Sequence, residues 1–364
     1  MWMFIFLLTI VCSIVGIFYL TWAVRQFAFV KKLAGDNRKK ASLISFAIIA
    51  LMFAFFTVVM SMVNAIVILL FVISFRLIFG LIGIIVKNYR KKPFKTYWQG
   101  WMSLLFCAVY LIAGCINCFH VDPTIYDLKT DKNIGGLKVA MFADSHLGTT
   151  FDAKGFGKLL DEIMAYSPDI VLIVGDYVDD GTEKSEMIKA CEELGRIDPK
   201  YGIWYVFGNH DRGYNRNGED DFTGEDLVRE LEKNHVHVLS DMTELIDDRF
   251  YLVGREDASR SGRMGIEDLV SGLDPEKYMI VMDHQPTDYD NEAAAKADLV
   301  LSGHTHGGQV FPVTYVSEWF DINDNIYGFE RRGGTDFIVT SGISDWEILF
   351  KTATKSEYVI INID

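Results

Sequence analysis

Histidine and carboxylate side chains suit borderline divalent cations, and in this chain they gather in five short stretches. These are Asp144-Ser145-His146, Gly175-Asp176-Tyr177, Gly208-Asn209-His210-Asp211, Asp283-His284-Gln285-Pro286 and Gly303-His304-Thr305-His306-Gly307-Gly308-Gln309. Five of the protein's eight histidines lie in them. Residues two apart in an extended segment point the same way, so Asp144 with His146, and His304 with His306, can each aim two donors at one point. Imidazole, carboxylate and amide oxygen together suit Mn, Fe or Zn better than a soft metal. Each stretch alone is commonplace: a single histidine at a strand end is usually a satisfied polar residue, and Gly-Asp is usually a turn. All five in order, each following a hydrophobic strand, are not.

The elements that must position them follow from hydrophobic patterning. Strands are predicted at Leu137–Phe142, Ile170–Val174, Ile203–Phe207, Phe250–Val253, Met279–Met282, Leu299–Leu301 and Phe337–Val339. Helices are predicted at Phe156–Tyr166, Lys184–Leu194, Glu225–Asn234 and Glu292–Ala297. The first helix rests on Phe156, Leu159, Leu160 and Ile163 at three- and four-residue spacing. Short strands alternating with amphipathic segments make an α/β domain. In open α/β sheets the ligand crevice lies beyond the carboxyl ends of the strands, where all five stretches fall.

The ordered series, with Gly175-Asp176-Tyr177-Val178-Asp179, His284-Gln285-Pro286 and Ser302-Gly303-His304-Thr305-His306-Gly307-Gly308-Gln309, resembles the calcineurin-like metallophosphoesterase superfamily, in particular its bacterial membrane-tethered branch. The resemblance covers about residues 135–364. It implies a four-layer αββα sandwich, two mixed β-sheets flanked by helices, with two divalent metals at the strand ends. Manganese is the expected metal, with iron and zinc as the other options. Carried over residue by residue, one metal takes Asp144, His146, Asp176 and His306. The second takes Asp176, Asn209, His284 and His304, with Asp176 bridging. His210 is then expected beside the substrate with Asp211 orienting it, and a metal-bridging hydroxide would attack phosphorus. Ser145 is an unusual middle residue that should point away from the metals. The position that carries tyrosine in iron–tyrosinate phosphatases is Asp179 here, which argues against a ferric site.

Composition divides the chain. Half of its 364 residues are hydrophobic, yet the net charge is −14. Residues 1–119 carry 12 Lys/Arg and one acid, Asp36; residues 120–364 carry 23 Lys/Arg and 48 Asp/Glu. Disorder is excluded by the apolar content. The acidic part lacks the clustered basic residues that nucleic acid requires. Four of the five cysteines (Cys12, Cys107, Cys115 and Cys118) lie in the apolar part and Cys191 stands alone in the acidic one, so a disulfide framework is ruled out there.

The reading is therefore a transmembrane region at 1–120, a linker at 121–135 and a metallophosphoesterase domain at 136–364. Four membrane helices are predicted, at about 2–24, 43–62, 65–86 and 98–119, from apolar runs long enough to cross a bilayer core of roughly 30 Å. Met1-Trp2-Met3-Phe4 lacks the basic segment of a cleavable signal peptide. Basic loops at Arg25, Lys31, Lys32, Arg38, Lys39 and Lys40 and at Lys87, Arg90, Lys91, Lys92 and Lys95 favour the cytoplasmic side, which places the acidic domain outside. Arg76, the one charge in the run from Leu43 to Val86, reads as a snorkelling residue or one bonded to backbone carbonyls.

The expected activity is hydrolysis of a phosphomonoester, phosphodiester or pyrophosphate, with envelope or lipid-linked substrates leading because the site would lie outside, near the membrane. Arg212, Arg255, Arg331 and Arg332 are possible phosphate contacts, and Trp319, Phe320 and Phe329 a possible lipid-facing rim, with core packing the simpler account of at least one. His235 and His237 read as surface residues. Two other classes are a cytoplasm-facing nucleotide or cyclic-dinucleotide phosphodiesterase and a non-catalytic membrane receptor or scaffold keeping the fold.

Overall fold

The computed structural model describes residues 2–364 other than 92, 93, 95, 214–220, 313 and 321, so Lys92 and Lys95 of the second basic loop lie outside the described residues. The chain forms two compact units, residues 1–113 and 114–364.

The first unit is helical: α1 (Trp2–Val24), α2 (Ala28–Ala34), α3 (Arg38–Val59), α4 (Met62–Arg90) and α5 (Trp98–Phe119), the last running on into the second unit. Among the described residues, α1, α3, α4 and α5 are long and apolar enough to cross a membrane. The middle two helices differ from the apolar runs at 43–62 and 65–86. Asn37 caps α3 by accepting from the Lys40 amide, and Ser61 caps α4 by accepting from the Asn64 amide. Arg38–Lys40 and Lys87–Arg90 lengthen the helices because Lys and Arg are good helix formers that a hydropathy reading discards. Arg76 is buried, its Nε donating to the Tyr97 hydroxyl at 2.6 Å, so it meets a phenol in place of bare backbone carbonyls.

The second unit follows as β1 (Val121–Leu128), β2 (Leu137–Phe142), α6 (Ala153–Met164), β3 (Ile170–Val174), α7 (Lys184–Leu194), β4 (Ile203–Val206), α8 (Gly224–Lys233), β5 (Val236–Leu239), β6 (Met242–Ile246), β7 (Phe250–Gly254), α9 (Ile266–Leu269), β8 (Tyr278–Met282), α10 (Tyr289–Ala294), β9 (Leu299–Ser302), α11 (Thr314–Trp319), β10 (Gly328–Arg332), β11 (Thr335–Val339) and β12 (Ser356–Ile363). One six-stranded sheet runs β1-β12-β2-β3-β4-β5 and the other β10-β11-β9-β8-β7-β6. Both are mixed: β12 is antiparallel to β2 while β2, β3 and β4 run parallel, and β6 and β10 are antiparallel edges on a parallel core.

The alternation of each strand separates three cores. Val139, Met141, Leu172, Val174 and Val206 meet Leu252, Ile280, Met282 and Leu301 between the sheets. Ala140, Phe142, Val171 and Ile173 face Phe156, Leu160, Met187 and Leu231 of α6, α7 and α8. Val253, Val281 and Val300 pack with Ile266 and Tyr289 of α9 and α10. This is the four-layer αββα order, and the central core between the sheets is buried and apolar.

Residues 121–135, expected as a linker, contain β1, which pairs in parallel with β12 along its length. The end of α5 is also built into this unit: Lys351 N donates to Gly114 O (2.9 Å), Asn117 Nδ2 to Lys351 O (3.2 Å) and Ser356 Oγ to Cys118 O (2.9 Å).

Candidate metal centre

The site forms where β2, β3, β4, β8 and β9 end. Each strand is a run of largely buried hydrophobic residues, and the chain turns sharply as it leaves. Asp144, His146, Asp176, His304 and His306 all adopt the left-handed backbone, with φ of 55°, 36°, 50°, 69° and 49°. Such conformations cost roughly 1–3 kcal/mol each in non-glycine residues and cluster where function requires them. The turns lock together: Asp144 N donates to Gly175 O (3.0 Å), His146 N to Asp176 O (3.2 Å) and Gly303 N to His284 O (3.0 Å). Two glycines are dictated by closeness. A Cβ on Gly208 would stand 2.2 Å from Asp176 Oδ1, and one on Gly303 2.6 Å from Asp144 Oδ2.

Ligating atoms converge in two groups, each within 4.8 Å: Asp144, His146 and His306 in one, Asp176, His284 and His304 in the other. The carboxylate of Asp176 joins them, with Oδ2 3.1 Å from His284 Nε2 and 3.8 Å from His146 Nε2. Asn209 and His210 follow β4 into the same corner. The His210 amide donates to Asp176 Oδ1 at 2.8 Å, and its ring lies 5.2 Å from those of His146 and Trp346. Asp211, expected to orient His210, is fully buried with its carboxylate accepting from the amides of Asp176 (2.8 Å), Val178 (3.0 Å) and Gly208 (2.6 Å). It clamps two of the turns together.

Three histidines share one arrangement. His284 Nδ1 lies 2.8 Å from Val174 O, His146 Nδ1 3.3 Å from Asp179 Oδ2, and His306 Nδ1 3.3 Å from Ser344 O and 3.4 Å from Asp345 Oδ1. A carbonyl or carboxylate facing Nδ1 places the neutral ring's proton there, leaving the Nε2 lone pair aimed at Asp176 or Asp144. At His284 that brings a nitrogen lone pair to 3.1 Å from a carboxylate oxygen inside a fully buried site. Only a positive charge between them, a proton or a cation, relieves the contact. Metal-bound histidines are held in this way by outer acceptors, so the residues fit a cation.

The electrostatics of these side chains carry the same strain. Burial opposes charge on Asp176, but His284 beside it, with His146 and His210, holds its carboxyl far below the ordinary value. Burial lowers His284, and the Asp176 charge overrides this and raises it well above the usual imidazole range. Burial and the His284 charge push His304 down to about 4. Burial and the Asp176 charge lift Asp211 up to about 6, against the pull of its amide donors.

Sequence spacing does not mark Asp179 and Asp345 as partners of the site. Asp179 sits where tyrosine was considered and instead faces His146. Asp345 is fully buried with Lys351, whose Nζ lies 3.1 Å away and also donates to Ser341 O at 2.7 Å. An acid and a lysine among serines, in a loop without periodicity, gave no sequence signal. Ser145 is buried.

The arginines proposed as phosphate contacts are engaged by carboxylates. Arg212 binds Glu256 (2.6 Å), Arg255 binds Asp283, Asp288 and Glu292 (3.0, 2.7 and 3.0 Å), Arg331 binds Asp336 and Arg332 binds Glu330 and Asp324. An acidic domain has carboxylates to spare, and they take these cations first. Trp319, Phe320 and Phe329 are all exposed, so none of them serves the core. His235 and His237 are exposed, His237 stacking on Trp204 at 4.3 Å.

Two mixed sheets between helices, with acid and histidine clusters at the strand ends, define a metallophosphoesterase-type domain, and the chain belongs to the calcineurin-like metallophosphoesterase family. Residues 137–308 match the family described as Calcineurin-like phosphoesterase. The chain is 30% identical over 275 residues to an uncharacterized metallophosphoesterase of Campylobacter jejuni, covering 72% of this chain and 69% of that one. It is also 30% identical over 279 residues to a Danio rerio transmembrane protein with metallophosphoesterase domain, and 25% identical over 275 residues to a Bos taurus protein of the same description. The matches cover 72% and 70% of this chain but only 62% and 60% of those two relatives.

Proposed function

We propose that the chain is a membrane-anchored phosphoesterase using two divalent cations. Asp144, His146, Asp176 and His306 would hold one and Asp176, Asn209, His284 and His304 the other, with manganese the expected ion. The observation that carries this reading is the shared orientation of His146, His284 and His306, each backed at Nδ1 by an acceptor and facing a carboxylate through Nε2. When bound, a cation pair supplies charge neutralisation for phosphoryl oxygens and a water of lowered pKa as the nucleophile. The rest falls to the chain's own groups. Asp176 carries the negative charge shared by both clusters. Asp211 keeps the turns bearing Asp176 and Asn209 at fixed separation. His210, at the half-exposed rim beside Trp346, offers a ring nitrogen to the phosphoryl or leaving-group oxygen.

Envelope or lipid-linked phosphoesters are the substrates proposed, with α1, α3, α4 and α5 crossing the cell membrane and the catalytic unit outside. The basic residues flanking α3 and α4 support that orientation. The test uses the purified full-length protein in lipid, given Mn²⁺ and three substrates: a generic phosphodiester, a phosphomonoester and a lipid pyrophosphate. Metal-dependent turnover of at least one is expected. Stoichiometric metal binding with no turnover of any would favour a non-catalytic receptor. A reporter fused after Asp364 reads the orientation, and activity of a cytoplasmic reporter would reverse it.

A further inference from the structure

Phe311, Tyr315 and Trp319 form an exposed aromatic ladder on and just before α11. They recur every fourth residue, with ring centroids 5.9 and 6.1 Å apart, and are 46%, 41% and 73% exposed. Phe320, 64% exposed, extends the patch. Contiguous exposed aromatics of this kind on a folded domain mark a surface that meets something apolar.

The position of the ladder in the fold says what that is. Phe311 N donates to Thr352 Oγ1 (3.0 Å), and Thr352 N to Gln309 O (2.8 Å). Thr352 in turn lies against the last turns of α5: a Cβ on Gly114 would stand 2.6 Å from its Cγ2, and the neighbouring Lys351 N donates to Gly114 O. Gly114 precedes the end of α5 at Phe119 by about 8 Å of helix axis. The outward side of that last stretch is apolar too, with Ile116 and Phe119 exposed. The ladder is therefore fastened to a helix that is still apolar on its free side, at the level where a span beginning at Trp98 leaves the hydrocarbon.

We infer that the aromatic ladder seats in the interfacial layer of the bilayer that α5 crosses; the inference rests on the membrane-spanning reading of α5. Tyrosine and tryptophan favour this layer, where the ring is covered and the polar tip stays wet. Residues 309–327 contain no Lys or Arg, so the attachment comes from buried apolar area and does not depend on anionic headgroups. The ladder follows the His304–His306 turn directly in sequence, and Thr354 Oγ1 bonds back to His306 O at 3.4 Å. The seat therefore fixes the metal centre close to the membrane surface, where the phosphate of an amphipathic lipid can reach it.

The experiment places the photoreactive amino acid p-benzoylphenylalanine singly at Val109, Tyr315, Trp319 and Leu245 of the full-length chain in phosphatidylcholine nanodiscs. Lipid adducts are then read by intact mass. Val109 reports the α5 span, and exposed Leu245, on the sheet edge formed by β6, reports the opposite flank of the sandwich. Adducts are expected at 109, 315 and 319, unchanged by salt, and none at 245. Adducts at 109 without any at 315 or 319 would overturn the seat and leave the span intact. No adduct at 109 would overturn the span and the seat with it, and equal adducts at 245 would show that the ladder has no special access to lipid.

Discussion

Asp176→Asn is the most direct probe of the metal centre, because it changes charge at nearly constant shape. The amide can still accept the His210 N–H that Oδ1 accepts at 2.8 Å, so the turn is expected to survive. What goes is the negative charge facing His284 Nε2 at 3.1 Å and His146 Nε2 at 3.8 Å. Opposite unit charges about 4 Å apart attract by about 4 kcal/mol at an effective dielectric of 20. Removing one partner of such a buried pair costs about 3–5 kcal/mol. If each cation loses even the lower figure, affinity at each position falls about 100-fold, since about 1.4 kcal/mol is a factor of ten. Turnover should fall by about 1,000-fold or more even at saturating Mn²⁺, because the phosphoryl group then meets a centre with less well-held charge. The assay pairs elemental analysis with hydrolysis rates across a Mn²⁺ titration, using full-length protein in lipid. A variant that binds metal and turns over like the parent would refute the placement of Asp176 between two cations.

Three further outcomes are expected. Asp345→Asn should weaken metal binding about 10–100-fold by removing the negative charge 3.4 Å from His306 Nδ1, the usual loss when an outer partner of a metal-bound histidine is altered. It should also destabilise the fold by stranding Lys351. Adding Lys351→Met should restore the melting temperature but not the affinity, and recovery of affinity would show that Asp345 acts on folding alone. Burial and neighbouring Asp283 raise Glu292 well above the ordinary carboxyl value, with Arg255 offsetting part of the effect. Its stabilising contribution is thus complete below about pH 4.3, the unfolded value, and is lost as pH rises through the folded one. Glu292→Gln should therefore gain in melting temperature over the parent as pH climbs from 5 to 9; a gap independent of pH would contradict the shift. Chelation should lower the melting temperature of the metal-loaded protein by about 5–10 °C, from about 2.7 kcal/mol of ligand stabilisation at 100 Kd and about 2–4 °C per kcal/mol for a domain of this size. Calorimetry with and without EDTA reads it, and an unmoved transition would mean that the fold holds no cation.

Most inner strands were legible because each is a short hydrophobic run buried on both faces: Ile170–Val174 and Leu137–Phe142 occur where hydrophobicity alone placed them, while β12, inner as well, was not predicted. The edges were not. β1 carries Asp122, Pro123 and Asp127, and β10 reads Gly-Phe-Glu-Arg-Arg, so neither resembles a strand until its neighbour supplies the ladder. The residues that converge at the strand ends were legible from type and order. Their supports were not, because Asp179, Asp345 and Lys351 act through partners distant in sequence or set in an aperiodic loop. The arginines misled for a related reason: their ion pairs span gaps such as 255 to 283, which no local pattern records.

The last turns of α5 give this protein no clean seam. Cutting before His120 would strip Lys351 of its bond to Gly114 and Ser356 of its bond to Cys118, so a water-soluble derivative has to begin upstream of Gly114 and carry a greasy stub with it. From the helix end the contacts run on through Lys351 to Asp345 and from Asp345 to His306, so the stub is part of the frame of the candidate site.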